Sequence, residues 1–174
     1  MKKTLLLLAA PALLFFAGCG SKPAPAAAMP GMVEKTFKVN GSNLTIMVPD
    51  STKGIAEITE QPSGATEIKV GADFQISVEE GEGDIALTKS DVKDAAVFKF
   101  QRYLKDEPAL LFWESKNADI PDSRFHFYTT AKIGKSSYII KDVESADAHN
   151  EKTVQLMIDA SKTIKAKDAA KPNS

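Results

Sequence analysis

Apolar and polar positions alternate through the first part of the folding sequence. Val33, Phe37 and Val39 precede Asn40-Gly41, and Leu44, Ile46 and Val48 follow it. Asn-Gly supplies the positive φ angles of a tight turn, which predicts a hairpin; Pro49, lacking a ladder donor, ends it. GIAEITEQPSG reads as a weaker strand running into a Pro-Ser-Gly turn. From Thr66 to Val78 the even positions are apolar or small (Ile68, Val70, Ala72, Phe74, Ile76 and Val78) and most of the odd ones are polar. That is a strand with one buried and one wet face. Thirteen residues is long for one strand, so Gly71 marks either a bulge or a turn between two.

The period then changes. Residues 84–105 place Ile85, Val92, Ala96, Phe100 and Tyr103 on one helical face, but Lys89 and Lys93 fall into the same face. A break between about Ser90 and Ala95 relieves the conflict, so the segment reads as an interrupted helical region closed by Pro108. ALLFWES is apolar on both faces (Leu110 and Phe112, Leu111 and Trp113), as expected of a mid-sheet strand covered above and below. Another hairpin follows, turning at Gly134-Lys135. Phe125, Phe127, Ala131 and Ile133 lie on one face of its first strand; His126, Tyr128, Thr130 and Lys132 lie on the other. The last element, 148–165, is an amphipathic helix with Val154, Leu156, Met157, Ile158, Ala160 and Ile164 on its apolar arc, capped by Asp147 or Asn150. These elements predict an α+β fold: a mostly antiparallel sheet of six or seven strands with two helical regions packed on it.

Residues 1–18 belong to a different pattern. Lys2 and Lys3 precede an apolar run from Leu5 to Phe16 that is interrupted by Pro11 and is shorter than the roughly 20 residues a membrane-spanning helix needs. This is the layout of a secretory signal peptide. Phe16-Ala17-Gly18-Cys19 follows at once, containing the chain's one cysteine. The stretch resembles the lipobox of bacterial lipoproteins, although Phe16 stands where the family usually has leucine. The resemblance implies a diacylglyceryl thioether on Cys19, cleavage after Gly18 and acylation of the new amino group. Residues 19–32 then form a Pro/Ala-rich tether, 33–165 a single domain and 166–174 a tail.

Composition narrows the function classes. With Cys19 lipidated, the domain holds no thiol for a disulfide, a metal or a covalent intermediate. Loss of Lys2 and Lys3 leaves a formal balance of −3, which disfavours nucleic acid and electrostatic docking on anionic lipid. The membrane contact expected is therefore through the acyl chains on Cys19. Gly20, rather than aspartate, after the cysteine points to an outer membrane, facing the periplasm, where the envelope has two.

Candidate chemistry is sparse. His126 and His149 are the two histidines; neither sits in a paired metal spacing or beside a Gly-x-Ser-x-Gly elbow. His149, at a helix start, reads as a solvated residue, and His126 as a half-exposed strand residue bonded to a neighbour. The acidic loop Glu79, Glu80, Glu82 and Asp84 offers oxygens to a hard cation, but matches no EF-hand spacing. Loop and cap physics account for all four acids, with Asp84 capping a helix. Phe98, Phe100, Tyr103, Phe112 and Trp113 are patterned as core. The sequence thus assigns no catalytic, cofactor-binding or metal residue, and Cys19 as a lipidation site.

The order of strands and helices over 33–165 is similar to the PsbP-like fold, a sandwich whose members are often accessory or assembly factors; no diagnostic motif carries the likeness. Two function classes follow. One is a lipid-anchored, non-catalytic envelope module binding an unknown protein or ligand. The other is an envelope hydrolase or cation-binding enzyme using His126, Tyr128 and nearby acids.

Overall fold

The computed structural model describes residues 29–120, 122–143 and 148–167. Cys19, most of the tether, Asp147 and the end of the tail lie outside them. Among the described residues the fold is α+β, with ten strands in two antiparallel sheets and two helices. In chain order these are β1 (Met32–Val39), β2 (Ser42–Pro49), β3 (Ala56–Glu60), β4 (Thr66–Val70), β5 (Phe74–Glu80), α1 (Ile85–Asp94), β6 (Lys99–Glu107), β7 (Leu110–Lys116), β8 (Ser123–Ile133), β9 (Ser136–Asp142), α2 (Glu151–Ser161) and β10 (Lys165–Ala166).

The smaller sheet has the order β1-β2-β10, and the larger β3-β4-β5-β9-β8-β7-β6. Asn40 (φ 46°) and Gly41 (φ 81°) form the expected hairpin turn between β1 and β2. Gly71 lies in a true turn, so the long alternating run is two strands, β4 and β5. The two sheets face each other across one core. Phe37, Val39, Leu44, Ile46 and Val48 from the smaller meet Ile68, Val70, Phe74, Ile76, Val78 and Ile140 from the larger. α2 joins that core through Val154, Met157, Ile158 and Ala160, contacting β2 as well as β5, β8 and β9. Asn150 caps it, its Oδ1 accepting the Thr153 N–H at 3.0 Å.

Four expectations need correction. The helical region predicted over 84–105 ends at Asp94, and its second half is strand β6. The register of β6 on β7 shifts between Phe100 and Arg102 and again between Tyr103 and Lys105. Each bulge adds a residue to the strand, so the apolar positions recur at helix-like spacing. Strand β7 lies one place from the sheet edge rather than in its middle. α2 is shorter than 148–165; Ile164 is buried beyond its end, and the chain continues as β10 against β2. Finally, the first hairpin is not part of the main sheet but half of a separate one.

One of the two lysines that spoiled the helical wheel has a use. Lys89 pairs with Asp106 and lies 5.9 Å from the Tyr103 ring centre, tying α1 to β6. In β7, the Glu114 carboxyl is held below its usual pKa by the Ser123 hydroxyl and the Arg102 guanidinium. A depressed folded value makes this carboxylate stabilising above the ordinary value of about 4.3, a contribution lost as pH falls through the lower folded value. Glu114→Gln should therefore flatten the acid limb of a stability–pH curve and leave the alkaline limb unchanged.

One hydroxyl joins α2 to the smaller sheet. Thr163 Oγ1 accepts the Met47 N–H at 2.8 Å and donates to the Ala160 carbonyl at 2.6 Å. Thr163→Val keeps the shape and orphans the β2 amide. Urea unfolding should show a loss of about 1–3 kcal/mol.

Candidate functional site

The inner face of the larger sheet is spent on the core; its outer face carries the chemistry. Period-two alternation puts Trp113, Ser115, Arg124, His126, Tyr128 and Lys141 on that face. Register arranges them in rows: Lys141 opposite Tyr128, His126 opposite Trp113, and Arg124 opposite Ser115.

The site begins where β9 leaves β8. The ladder ends on that side at the pair Tyr128–Lys141, and the next amide, that of Phe127, is buried. The Asp142 carboxylate takes it, Oδ1 accepting the Phe127 N–H at 2.8 Å. Its Oδ2 lies 2.8 Å from His126 Nδ1. Two residues further along, the His149 carbonyl accepts the Phe125 N–H at 3.2 Å. A side chain and then a second segment of main chain thus finish the work of the departed strand. Burying a carboxylate is costly unless donors satisfy it, and both oxygens of Asp142 have one.

This explains His126 and corrects His149. His126 is bonded to a neighbour, as its mid-strand position suggested, with a side chain 16% exposed. The indole of Trp113 stacks on it at 5.4 Å and 28°. With Nδ1 donating to Asp142, Nε2 is the ring atom left for the groove. His149 is buried, not solvated: its carbonyl is drawn against β8, and its Nε2 lies 3.4 Å from the Val143 carbonyl.

Over this face lies a cavity of about 750 Å³. One wall is α1 and the connection to β6, contributing Val92, Ala95, Val97 and Phe98; Trp113 and His126 also line it. A second cavity of about 410 Å³ continues toward β4 and β5, reaching Glu67, Ser77 and Glu79. The two share Trp113, His126, Tyr128, Lys141, Asp142 and Val143 and so form adjoining lobes of one groove.

The wall is positioned by the acidic loop. Gly83 (φ 62°) lies so close to β8 that a Cβ would come within 2.6 Å of Thr130 Cγ2 and 2.7 Å of the Tyr128 hydroxyl. That approach lets the Asp84 N–H reach the Tyr128 oxygen at 3.3 Å, while Asp84 Oδ1 caps α1 through the Leu87 N–H at 2.9 Å. The four acids therefore part company. Glu79 and Glu80 lie in β5, the latter bonded by Asn40; Asp84 caps; Glu82 is exposed. Among the described residues no group of three or more His, Cys, Asp or Glu converges as a metal site does.

The core assignment of the aromatic set holds for Phe112 alone among the fully buried. Trp113 and Phe98 line the cavity, with the Arg124 guanidinium 4.3 Å from the Phe98 ring centre, while Phe100 and Tyr103 pack on each other. Sequence reasoning missed Asp142, Lys141, Ser115 and Arg124. Asp142 is the last residue of β9, a polar strand end with no motif around it. Ser115 is 2% exposed and its Oγ has no hydrogen-bond partner among the described residues.

Compared with known proteins, the chain matches no family model, no curated protein and no solved structure.

Asp142 can be tested by paired substitutions. Asp142→Ala strips the buried Phe127 amide and His126 of their acceptor and should cost about 3 kcal/mol. Asp142→Asn keeps an oxygen for one of them and should cost roughly 1 kcal/mol in the same denaturant titration.

Proposed function

We propose that this chain is a lipid-anchored envelope protein whose domain acts as a non-catalytic binding module, with the groove on the outer face of the larger sheet as its seat. The observation that carries the binding half is the groove itself: a cavity of about 750 Å³ lined by an aromatic floor, a fixed histidine and an apolar wall. Volumes of this order suit small-ligand sites, which combine apolar walls with a few placed polar groups. The anchoring half rests on the sequence, where the lipobox-like stretch ending at Cys19 directly follows a signal-peptide pattern. Two or three acyl chains hold a protein stably on a bilayer. The accessory role implied by the PsbP-like order of elements runs the same way.

One observation favours a hydrolase instead: a histidine oriented by a buried aspartate is how general bases are held. Binding is the better reading because the pair already has a structural cause in the orphaned Phe127 amide. In addition, no serine or threonine hydroxyl is bonded to His126 among the described residues.

Each half has a test. Cys19→Ser should abolish both incorporation of labelled fatty acid and cleavage after Gly18; a Cys19→Ser protein that is still labelled and still cleaved contradicts the anchor. For the groove, Lys141→Glu on the outer face and Lys35→Glu on β1, both exposed positions, form a matched pair. A partner retained by the wild-type anchored protein should be lost with Lys141→Glu and kept with Lys35→Glu. Equal retention by both contradicts the groove as the seat.

A further inference from the structure

The geometry points to an occupant for the groove: a small organic carboxylate with an apolar body, its charged head between Lys141 and His126 and its body under α1. This inference rests on the binding reading above and assigns the chemistry of that same site.

The head position follows from the charges. Lys141 and His126 line both lobes, so they stand where the lobes meet. Lys141 is exposed and makes no ion pair among the described residues. Asp142 does not oppose a visiting anion as a free acid would, because both its oxygens are engaged by Phe127 and His126. With a proton on both ring nitrogens, His126 donates Nδ1–H to Asp142 and Nε2–H to the ligand; with the ring neutral, Lys141 alone supplies the positive charge. Hydrogen bonds between charged partners are the stronger kind.

The direction of the body follows from the walls. One lobe carries Glu67 and Glu79 and suits neither an anion nor an apolar group. The other is walled by Val92, Ala95, Val97, Phe98 and Trp113, with Asp91 and Arg124 also lining it, the Arg124 guanidinium lying over the Phe98 ring. From the Lys141 row to the Ser115 row is four residues along the strands, about 13 Å, enough for a phenylalkyl chain to lie over Trp113 toward Phe98. The wall is lightly held, since α1 has no buried residue, and can adjust to that body.

Trp113 is the chain's single tryptophan, so its emission reports on this site alone. The test titrates 4-phenylbutyrate, 4-phenylbutanol and 4-phenylbutylamine, which share a body and differ in head charge. The full-length protein is kept in detergent micelles, and protein-free micelles are subtracted. The acid should change Trp113 emission saturably, with a dissociation constant lower than those of the alcohol and the amine by about tenfold or more. Lys141→Ala, at an exposed position that does not threaten folding, should erase most of that preference. Equal binding of the three, tighter binding of the amine, a preference indifferent to Lys141→Ala, or no saturable signal at all would each overturn the carboxylate assignment. If that happens while Lys141→Glu still abolishes partner retention, the ligand class fails and the groove stands as a protein-binding seat. If the preference appears and no partner is retained, the small-ligand site stands without the protein partner.

Discussion

Where a strand leaves a sheet, its neighbour keeps amides that must bond to something, and here the Asp142 carboxylate provides for the Phe127 amide. A buried carboxylate needs a second donor, and His126 Nδ1 supplies it. The imidazole thereby acquires a fixed orientation, and Trp113 stacks against it. The departing chain returns through the His149 carbonyl, which bonds the Phe125 amide and leads into the Asn150 cap of α2. One ladder ending thus links the core helix, the groove floor and the position of the ring facing the groove. A purely apolar solution at Asp142 would leave the amide unpaired, which is why the polar pair belongs to the fold before it belongs to any ligand.

The groove's other wall depends on close backbone approach. Gly83 sits against Thr130 and Tyr128, so the chain climbs from β5 over the outer face rather than away from it. α1 then starts from an Asp84 cap beside the Tyr128 hydroxyl and is fastened at its side by Lys89 to Asp106 and Tyr103. It buries no residue of its own. The result is asymmetric: α2 is locked between two sheets, whereas α1 roofs a cavity and is held by polar contacts. Ligand sites commonly draw their moving parts from such weakly packed elements.

Much of the architecture was legible because period-two alternation and turn chemistry agree. Asn40-Gly41, the faces of β4 and β8 and the core face of β5 could be read from the residues, as could the apolar arc of α2 from its 3.6-residue period; the other face of β5, expected to be wet, buries Gln75 and Ser77. β6 could not, because two bulges reset its alternation and Phe100 and Tyr103 mimic a helical face. The candidate site was half legible. His126 was placed on the outer face by alternation, yet its partner lies sixteen residues on, at a strand end whose ladder termination leaves no local mark. Nor does composition distinguish Trp113 as a groove floor from Trp113 as core, because that depends on how far α1 stands off the sheet. Cys19 is the opposite case: its signal is wholly in the sequence, outside the described residues.

Asp142 both ends the ladder and presents His126 to the groove through one ring nitrogen. Imidazole ¹⁵N shifts of His126, recorded in the full-length protein under conditions where the ring is neutral, test it most directly. The proton should be found on Nδ1, shared with Asp142, with Nε2 bare. A proton found on Nε2, with Nδ1 unprotonated, would contradict it.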